Sequence, residues 1–248
     1  MSNYNVGTLP SNGTPVIRNN YSLTPTQTTD VFEFRIGSTS DINLALTGIT
    51  NGDDADLKLY RDSNGNGRFD ANSDQFVASS TRGGNNDDSI NLADRSAGTY
   101  FAQVNRFSTS SGNVTYDLAL STANPSNLLP REVNLGNLSH DVTEHGSINN
   151  NNTSDVYGFS LGLFEGVNIR LSGLSADADI RLIRDRNGDR NVDSSDEIVR
   201  SARAGSNSEA LMNINESGNY FVQVYQYGSA STNYTLGFDH FTTSYPLV

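Results

Sequence analysis

Oxygen-bearing side chains recur at the same spacing in two loops of this sequence. Counted from its first aspartate, each loop carries such side chains at positions 1, 3, 5 and 9, with a further acid at position 12 or 13. A hard cation such as Ca2+ takes roughly six to eight oxygen ligands, and alternate side chains point inward when the backbone wraps around the ion. The spacing therefore predicts two calcium sites.

The candidate ligands follow from this spacing. The first loop offers the side chains of Asp62, Asn64, Asn66, Asp70 and Asp74 and the backbone carbonyl of Arg68. The second loop offers Asp185, Asn187, Asp189, Asp193 and Asp196, the backbone carbonyl of Asn191, and Glu197 as a further candidate. Magnesium suits these loops less well because it demands octahedral geometry and keeps its waters.

The two loops are unequal in charge. The first has Asn66 where the second has Asp189, and counting along the chain puts Ser73 opposite Asp196. Fewer formal charges predict a weaker first site. The alternative for both loops is a metal-free turn, because Asn, Asp and Gly favour turns in any case.

Four more aspartates precede the loops and have two interpretations. Asp54 and Asp56 stand before the first loop, and Asp177 and Asp179 stand before the second. They either add ligands to the metal or satisfy the backbone amides at strand ends. We favour the structural role.

The loops belong to an internal repeat. Residues 30–34 match 155–159, residues 54–59 match 177–182, and residues 98–104 match 218–224. Each copy has about 120 residues, which is a normal domain size. We predict a first repeat over residues 1–123, a linker over 124–130 and a second repeat over 131–248.

Apolar residues alternate within each copy. Residues 42–46 and 167–171 are examples, and Gly- and Asn-containing turn signals separate such segments. A period of two with frequent turns is typical of a β-sandwich. The prediction is an all-β fold made of two tandem jelly-roll-like β-sandwich domains, each with about eight strands.

Aromatic residues form a stripe near the end of each copy. If Tyr220, Val222 and Val224 face a core, their neighbours share the opposite face of the sheet. The candidate ligand face consists of Phe101, Phe107, Phe221, Tyr225 and Tyr227. The alternative is that these rings pack against the sister domain or against the tail 241–248.

Composition restricts the classes of partner. The net charge is −12, Lys58 is the only lysine and there is no cysteine. Without a basic stripe, nucleic acid and an anionic membrane surface are not expected partners. No apolar run approaches the length of roughly 20 residues that spans a membrane. The first six residues do not resemble a signal peptide, which leaves a removed signal, another export route or a cytoplasmic location open.

No catalytic motif stands out. The three histidines, His140, His145 and His240, occur in only one copy. There is no Gly-x-Ser-x-Gly elbow and no His-Glu-x-x-His zinc motif. We therefore predict a protein that is not an enzyme and has no catalytic residues.

The order of the repeated motifs resembles a known family. Asp-Val-(Phe/Tyr)-x-Phe, Ala-Asp-(Leu/Ile)-x-Leu and Gly-x-Tyr-Phe-x-Gln-Val follow one another in both copies, and a late tyrosine, Tyr116 or Tyr234, follows. This order resembles the bacterial pre-peptidase C-terminal domain across nearly the whole chain. The acidic loops resemble thrombospondin type 3 or dockerin calcium repeats inserted into that domain. The resemblance implies a jelly-roll accessory domain of exported bacterial proteins.

These observations give one main functional hypothesis and its alternatives. We expect a calcium-binding, non-catalytic accessory or adhesion module, extracellular or on the cell surface. Its expected partners are calcium and an extracellular polysaccharide or a protein such as collagen. The alternatives are a structural repeat of a cell-surface layer or filament, and a companion domain of a secreted protease.

Overall fold

The computed structural model describes residues 1–107 and 112–243, and all regular secondary structure in these ranges is β-strand. The chain divides into two compact units, Met1–Pro130 and Arg131–Val248. The segment 124–130, expected to be a linker, falls within unit 1. Among the described residues, no helix is long and apolar enough to cross a membrane.

Within the described ranges each unit contains nine strands, where about eight were expected. Unit 1 has β1 (Ser2–Thr8), β2 (Val16–Leu23), β3 (Thr29–Ile36), β4 (Ser40–Thr47), β5 (Ala55–Arg61), β6 (Gln75–Ser80), β7 (Asp88–Arg95), β8 (Gly98–Arg106) and β9 (Val114–Ser121). Unit 2 has β10 (Val133–Asn137), β11 (Val142–Ile148), β12 (Ser154–Leu161), β13 (Glu165–Ser172), β14 (Ala178–Ile183), β15 (Glu197–Ser201), β16 (Glu209–Ile214), β17 (Gly218–Gln226) and β18 (Thr232–Thr242).

Both units have the same topology. Unit 1 has a five-stranded sheet in the order β1-β3-β8-β5-β6 and a four-stranded sheet in the order β2-β9-β4-β7. Unit 2 repeats them as β10-β12-β17-β14-β15 and β11-β18-β13-β16. The prediction of an all-β fold with two sandwich domains is confirmed.

The alternation seen in the sequence builds a core in each unit. Phe32, Phe34 and Ile36 of β3 meet Leu44 and Leu46 of β4 in the core of unit 1, and all five are at most 1% exposed. The corresponding strands of unit 2 supply Tyr157, Phe159, Val167 and Ile169 to its core. Each sandwich is therefore held together by apolar burial between its two sheets.

A buried polar contact connects the two sheets of each unit. The Tyr116 hydroxyl on β9 donates to the Asp30 carboxylate on β3 at 2.6 Å. In unit 2, Tyr234 on β18 donates to Asp155 on β12, and the Tyr157 and Tyr234 hydroxyls lie 2.8 Å apart. In unit 1 the contact also satisfies a fully buried carboxylate, which would be costly without a hydrogen bond.

One edge of each five-stranded sheet is a short parallel pair. β1 runs parallel to β3, and its register shifts between Asn5 and Gly7. The Asn5 side chain accepts the Gly7 N–H at 2.8 Å, and Gly7 has φ +89°, where glycine avoids steric strain. β10 and β12 pair in the same way, with the shift between Asn134 and Gly136. This irregular edge recurs at the same place in both units.

Candidate metal sites in two acidic loops

Each acidic loop connects two antiparallel neighbours of a five-stranded sheet, β5 to β6 or β14 to β15. In the first loop, the Asp62 carboxylate accepts the N–H groups of Gly65 at 2.7 Å and Gly67 at 2.9 Å. Both glycines have left-handed φ angles, +70° and +66°. The first aspartate thus organises the turn by accepting hydrogen bonds from its backbone.

The second loop has the same backbone path. Asp185 accepts the N–H groups of Gly188 at 2.8 Å and Arg190 at 3.0 Å. Gly188 has φ +74° and Arg190 has φ +62°. Arg190 therefore occupies the place of Gly67 with a left-handed backbone that a non-glycine residue adopts at some cost.

The last acid of each loop closes it in the same way. Asp74 accepts the N–H of Asp70 at 2.7 Å, and Asp196 accepts the N–H of Asp193 at 3.1 Å. The structural counterpart of Asp196 is therefore Asp74 rather than Ser73, because the first loop has one more residue in its last turn. Ser73 instead accepts a hydrogen bond from the Asn64 amide at 3.0 Å. Among the side chains at positions 1, 3, 5 and 9 and the closing acid, the loops differ in formal charge only at Asn66 and Asp189.

The side chains at positions 3 and 5 also bind the loop backbone. Asn64 accepts the N–H of Asn66 at 2.9 Å, and Asn66 accepts the N–H of Arg68 at 2.7 Å. In the second loop, Asp189 accepts the N–H of Asn191 at 2.8 Å. Each carboxylate or amide oxygen has further lone pairs, so such a hydrogen bond leaves it able to bind a cation.

Each loop contains one buried oxygen without a hydrogen-bond partner among the described residues. These are Oδ1 of Asp74 and Oδ1 of Asn191, in side chains only 7% and 6% exposed. Buried polar atoms are normally satisfied, so such atoms point to water or an ion. The donors are all oxygens, which suits Ca2+. Within the described ranges, however, no three or more His, Cys, Asp or Glu side chains form a ready metal cluster.

Glu197, the further candidate ligand, lies outside the loop on β15. Its carboxylate is 2.5 Å from Nε of Arg200 and 3.4 Å from NH1 of Arg181. Burial lowers the pKa of the Arg181 guanidinium, and the neighbouring Glu197 carboxylate opposes that shift. Glu197 thus forms ion pairs with two arginines on the sheet.

The aspartates that precede the loops lie at the starts of β5 and β14, where Asp179 is buried and the other three are half-buried. Burial raises the pKa of Asp179 to about 6, and the neighbouring Asp177 adds to the shift. Burial likewise raises the pKa of Asp56, with Asp54 beside it. The nearby cations Arg200 and Lys58 oppose these two shifts, but burial outweighs them. Whether these four residues act as ligands stays a prediction.

Asp88 is a buried acid that the sequence reasoning missed. Its Oδ1 accepts the Ser80 hydroxyl at 2.5 Å and the Arg82 N–H at 2.9 Å, while Oδ2 has no partner among the described residues. Burial raises its pKa to about 6. Glu209 holds the matching place in unit 2, where it accepts from Ser201 and Arg203. The sequence repeat could have revealed this acid, because the equivalent strands β7 and β16 begin with Asp88 and Glu209.

The predicted aromatic stripe is not a continuous exposed surface. Phe101, Phe221 and Tyr225 are only 1%, 6% and 6% exposed, whereas Phe107 and Tyr227 are 69% and 66% exposed. The three buried rings are covered by side chains from the loops and the sheet. Phe69 of the first loop contacts Phe101, Arg190 of the second loop lies over Phe221, and Arg181 lies over Tyr225. The face is therefore reduced to two exposed rings, and residues 244–248 of the tail lie outside the described residues.

Comparison with known proteins gives a family match in both units. The sequence model of the bacterial pre-peptidase C-terminal domain matches residues 28–106 and 153–226. The comparison with curated proteins gave no significant match.

Solved structures give weaker similarities. The pre-peptidase C-terminal domain of Bacillus anthracis collagenase is 21% identical over 48% of this chain and 93% of its own length, with a TM-score of 0.35. A periplasmic inhibitor of g-type lysozyme from Aeromonas hydrophila is 14% identical over 48% of this chain and 96% of its own, with a TM-score of 0.33. These scores are too low to support any argument, so the family assignment depends on the sequence model.

Proposed function

Because the chain belongs to the bacterial pre-peptidase C-terminal domain family, we propose that it is a non-catalytic accessory and adhesion module of an exported bacterial protein, with Ca2+ bound in its two acidic loops. Domains of this family occur on secreted proteases as accessory modules. The observation that carries the calcium proposal is the duplicated loop, which holds a buried unpartnered oxygen in each copy, on Asp74 and Asn191.

Calcium binding would work here as a stabiliser. The carboxylates of each loop already accept hydrogen bonds from the N–H groups of the loop. An ion would be bound by the lone pairs that these hydrogen bonds leave free. An ion that binds the folded state stabilises it by mass action. Weak sites would be empty at cytoplasmic calcium levels and filled outside the cell, which fits the proposed extracellular or cell-surface location.

Calorimetry and thermal unfolding test this proposal. Isothermal titration with Ca2+ should show two sites, and EDTA should lower the melting temperature while added Ca2+ restores it. Asp62→Ala should remove one site and Asp185→Ala the other. Glu197→Gln is the matched control, because this acid is held by Arg181 and Arg200, and it should leave both sites intact. No heat of binding together with an unchanged melting curve would refute calcium binding.

Two exposed rings are the proposed contacts for a macromolecular ligand. Phe107 and Tyr227 follow the ends of β8 and β17, and their N–H groups donate to the carbonyls of Asp54 at 3.0 Å and Asp177 at 3.3 Å. The same aromatic feature is thus displayed once per unit. Exposed rings stack on sugars or pack on an extended peptide. The candidate ligands remain an extracellular polysaccharide and a protein such as collagen.

Pull-down assays distinguish these ligands and the alternative roles. Binding to insoluble polysaccharide or to collagen fibrils should fall when Phe107 and Tyr227 are both changed to serine. Phe76→Ser is the control, because Phe76 is also well exposed, at 53%, but lies on β6. Self-association on calcium addition, seen by light scattering, would favour a structural repeat instead. Co-elution with a protease would favour the role of a companion domain.

A further inference from the structure

A cavity of about 430 Å³ opens in unit 1 beside the first acidic loop. Strands β1, β3 and β8 supply one wall, and the loop supplies the other. Its lining includes Asn3, Asn5, Glu33, Arg68, Phe69 and Phe101. The lining therefore combines amides, aromatic rings, one acid and one arginine.

Glu33 is the central polar group of this cavity. It lies in register between Asn5 of β1 and Phe101 of β8, so the three residues form one row across the sheet. Glu33 is half-buried, and its carboxylate makes no hydrogen bond or ion pair with any described residue. Phe69 covers Phe101, with ring centroids 5.6 Å apart. A half-buried carboxylate beside aromatic rings is chemistry that favours a cation.

Unit 2 fills the equivalent place with its own arginine. The row there is Asn134, Gly158 and Phe221. A Cβ on Gly158 would lie 2.8 Å from Cγ and 3.0 Å from Nε of Arg131, so the Arg131 side chain covers this glycine. The cavity that remains is only about 140 Å³. From the loop side, the Arg190 guanidinium lies 5.2 Å from the Phe221 ring centroid.

From this contrast we propose that the unit 1 cavity binds an arginine side chain of an extended peptide. Glu33 replaces Gly158 and supplies the carboxylate that a guanidinium binds through two parallel hydrogen bonds. Asn3 and Asn5 offer amide oxygens, and the partly buried Phe69 offers a ring on which a guanidinium stacks. Arg68 is exposed at the rim, where its charge opposes the ligand. The proposal does not depend on calcium.

NMR titration of the full chain with small probes tests this site. N-acetyl-arginine amide should shift the backbone signals of Asn5, Glu33 and Phe101, while those of Asn134 and Phe221 stay in place. N-acetyl-citrulline amide has the same shape without the charge and should bind about tenfold more weakly or worse. Shifts of equal size with both probes, or no shifts at Glu33, would overturn the proposal.

Two single variants test whether the site favours a positively charged ligand. Glu33→Gln should abolish the arginine-dependent shifts, and Arg68→Gln should preserve or strengthen them. The opposite pattern would show that the probe does not bind through Glu33 and would refute the proposal. Far-ultraviolet circular dichroism and a melting curve verify that both variants fold. A calcium titration on the same samples tests the proposed calcium sites independently. A failure of arginine binding would therefore be distinguishable from a failure of calcium binding.

A gain of binding in unit 2 gives an independent test. The double variant Arg131→Ala with Gly158→Glu removes the side chain that fills the equivalent groove and adds the missing carboxylate. The probe should then shift Asn134 and Phe221 as well as Asn5. If the double variant folds and the signals of Asn134 and Phe221 do not shift, these residues are not sufficient to bind arginine. The proposed arginine site would then be wrong.

Discussion

Asn66 and Asp189 occupy the same place in the two acidic loops, and among the side chains at positions 1, 3, 5 and 9 and the closing acid they are the only difference in formal charge. Both side chains accept the N–H of the residue two positions later, at 2.7 and 2.8 Å. The closing acids Asp74 and Asp196 are equivalent, since each accepts the N–H of the ninth loop residue. The affinities of the two proposed calcium sites should therefore be set largely by this one position.

Exchanging the two residues tests that expectation. Asn66→Asp adds a carboxylate and should raise the calcium affinity of the first loop, whereas Asp189→Asn should lower that of the second towards the first. Charge count is a main determinant of calcium affinity in such loops, so we expect changes of about tenfold. Isothermal titration of the two variants measures both effects. Equal affinities in the variants and the parent would show that position 5 does not bind the ion.

Asp88 gives unit 1 a stability that depends on pH. Its pKa is raised from 3.8 to about 6 by burial, so the folded state binds a proton more tightly than the unfolded state. Stability should be greatest below about pH 4 and fall as the pH rises through 6. The size of the loss is on the order of 3 kcal/mol, from about two pKa units.

The variant Asp88→Asn should flatten this dependence. Urea unfolding in EDTA at pH 4.5 and pH 7 measures it without interference from calcium. Burial also raises the pKa of Asp56 in unit 1 and raises that of Asp179 in unit 2 to about 6, so part of the pH dependence should persist in both units. Glu209→Gln is the matched control, since both of its oxygens already accept hydrogen bonds. An unaltered pH dependence in Asp88→Asn would contradict the assignment.

At the scale of the elements, the pairing of β11 with β18 depends on a glycine. Gly146 lies opposite Tyr234, and a Cβ on it would meet the Tyr234 ring, with Cζ at 2.4 Å. Its backbone is not left-handed, so a substitution acts through space alone. Gly146→Ala should push Tyr234 away from Asp155, the contact that connects the sheets of unit 2.

The expected cost of Gly146→Ala is about 1–3 kcal/mol, as for overpacking of a core. Thermal unfolding measures it, and the loss should be confined to unit 2. Gly37→Ala is the control, because nothing lies within 4 Å of its ideal Cβ and its φ is not positive. Equal stability of the two variants would show that β11 shifts at no cost to make room for the new methyl group.

Alternation along the strands was enough to predict the sandwiches, because burying one face of a sheet fixes a period of two. The same rule correctly placed Phe101 and Phe221 on the face away from the core. It failed to predict their burial, since the rings are covered by Phe69 and Arg190, which lie far away in sequence on the loops. Likewise, counting residues paired Ser73 with Asp196, and only the hydrogen bond to Asp70 identifies Asp74.

At the scale of the whole molecule, duplication has produced two units that keep one fold and differ in their surfaces. The inter-sheet tyrosine, the irregular parallel edge and the loop backbone recur in both. One difference lies beside the loops, where Glu33 in unit 1 stands in the place of Gly158 in unit 2. Stabilising features are thus repeated, whereas the proposed arginine pocket is present in one unit only.

Because each unit has its own core, each should fold alone. We expect residues 1–130 and residues 131–248, expressed separately, to unfold cooperatively by circular dichroism. The second should retain the tighter calcium site, since its loop carries Asp189, and the first the arginine site, since it carries Glu33. Each compact sandwich buries enough apolar surface for independent stability. A piece that is molten or aggregated in the presence of calcium would show that the duplicated fold depends on its sister unit.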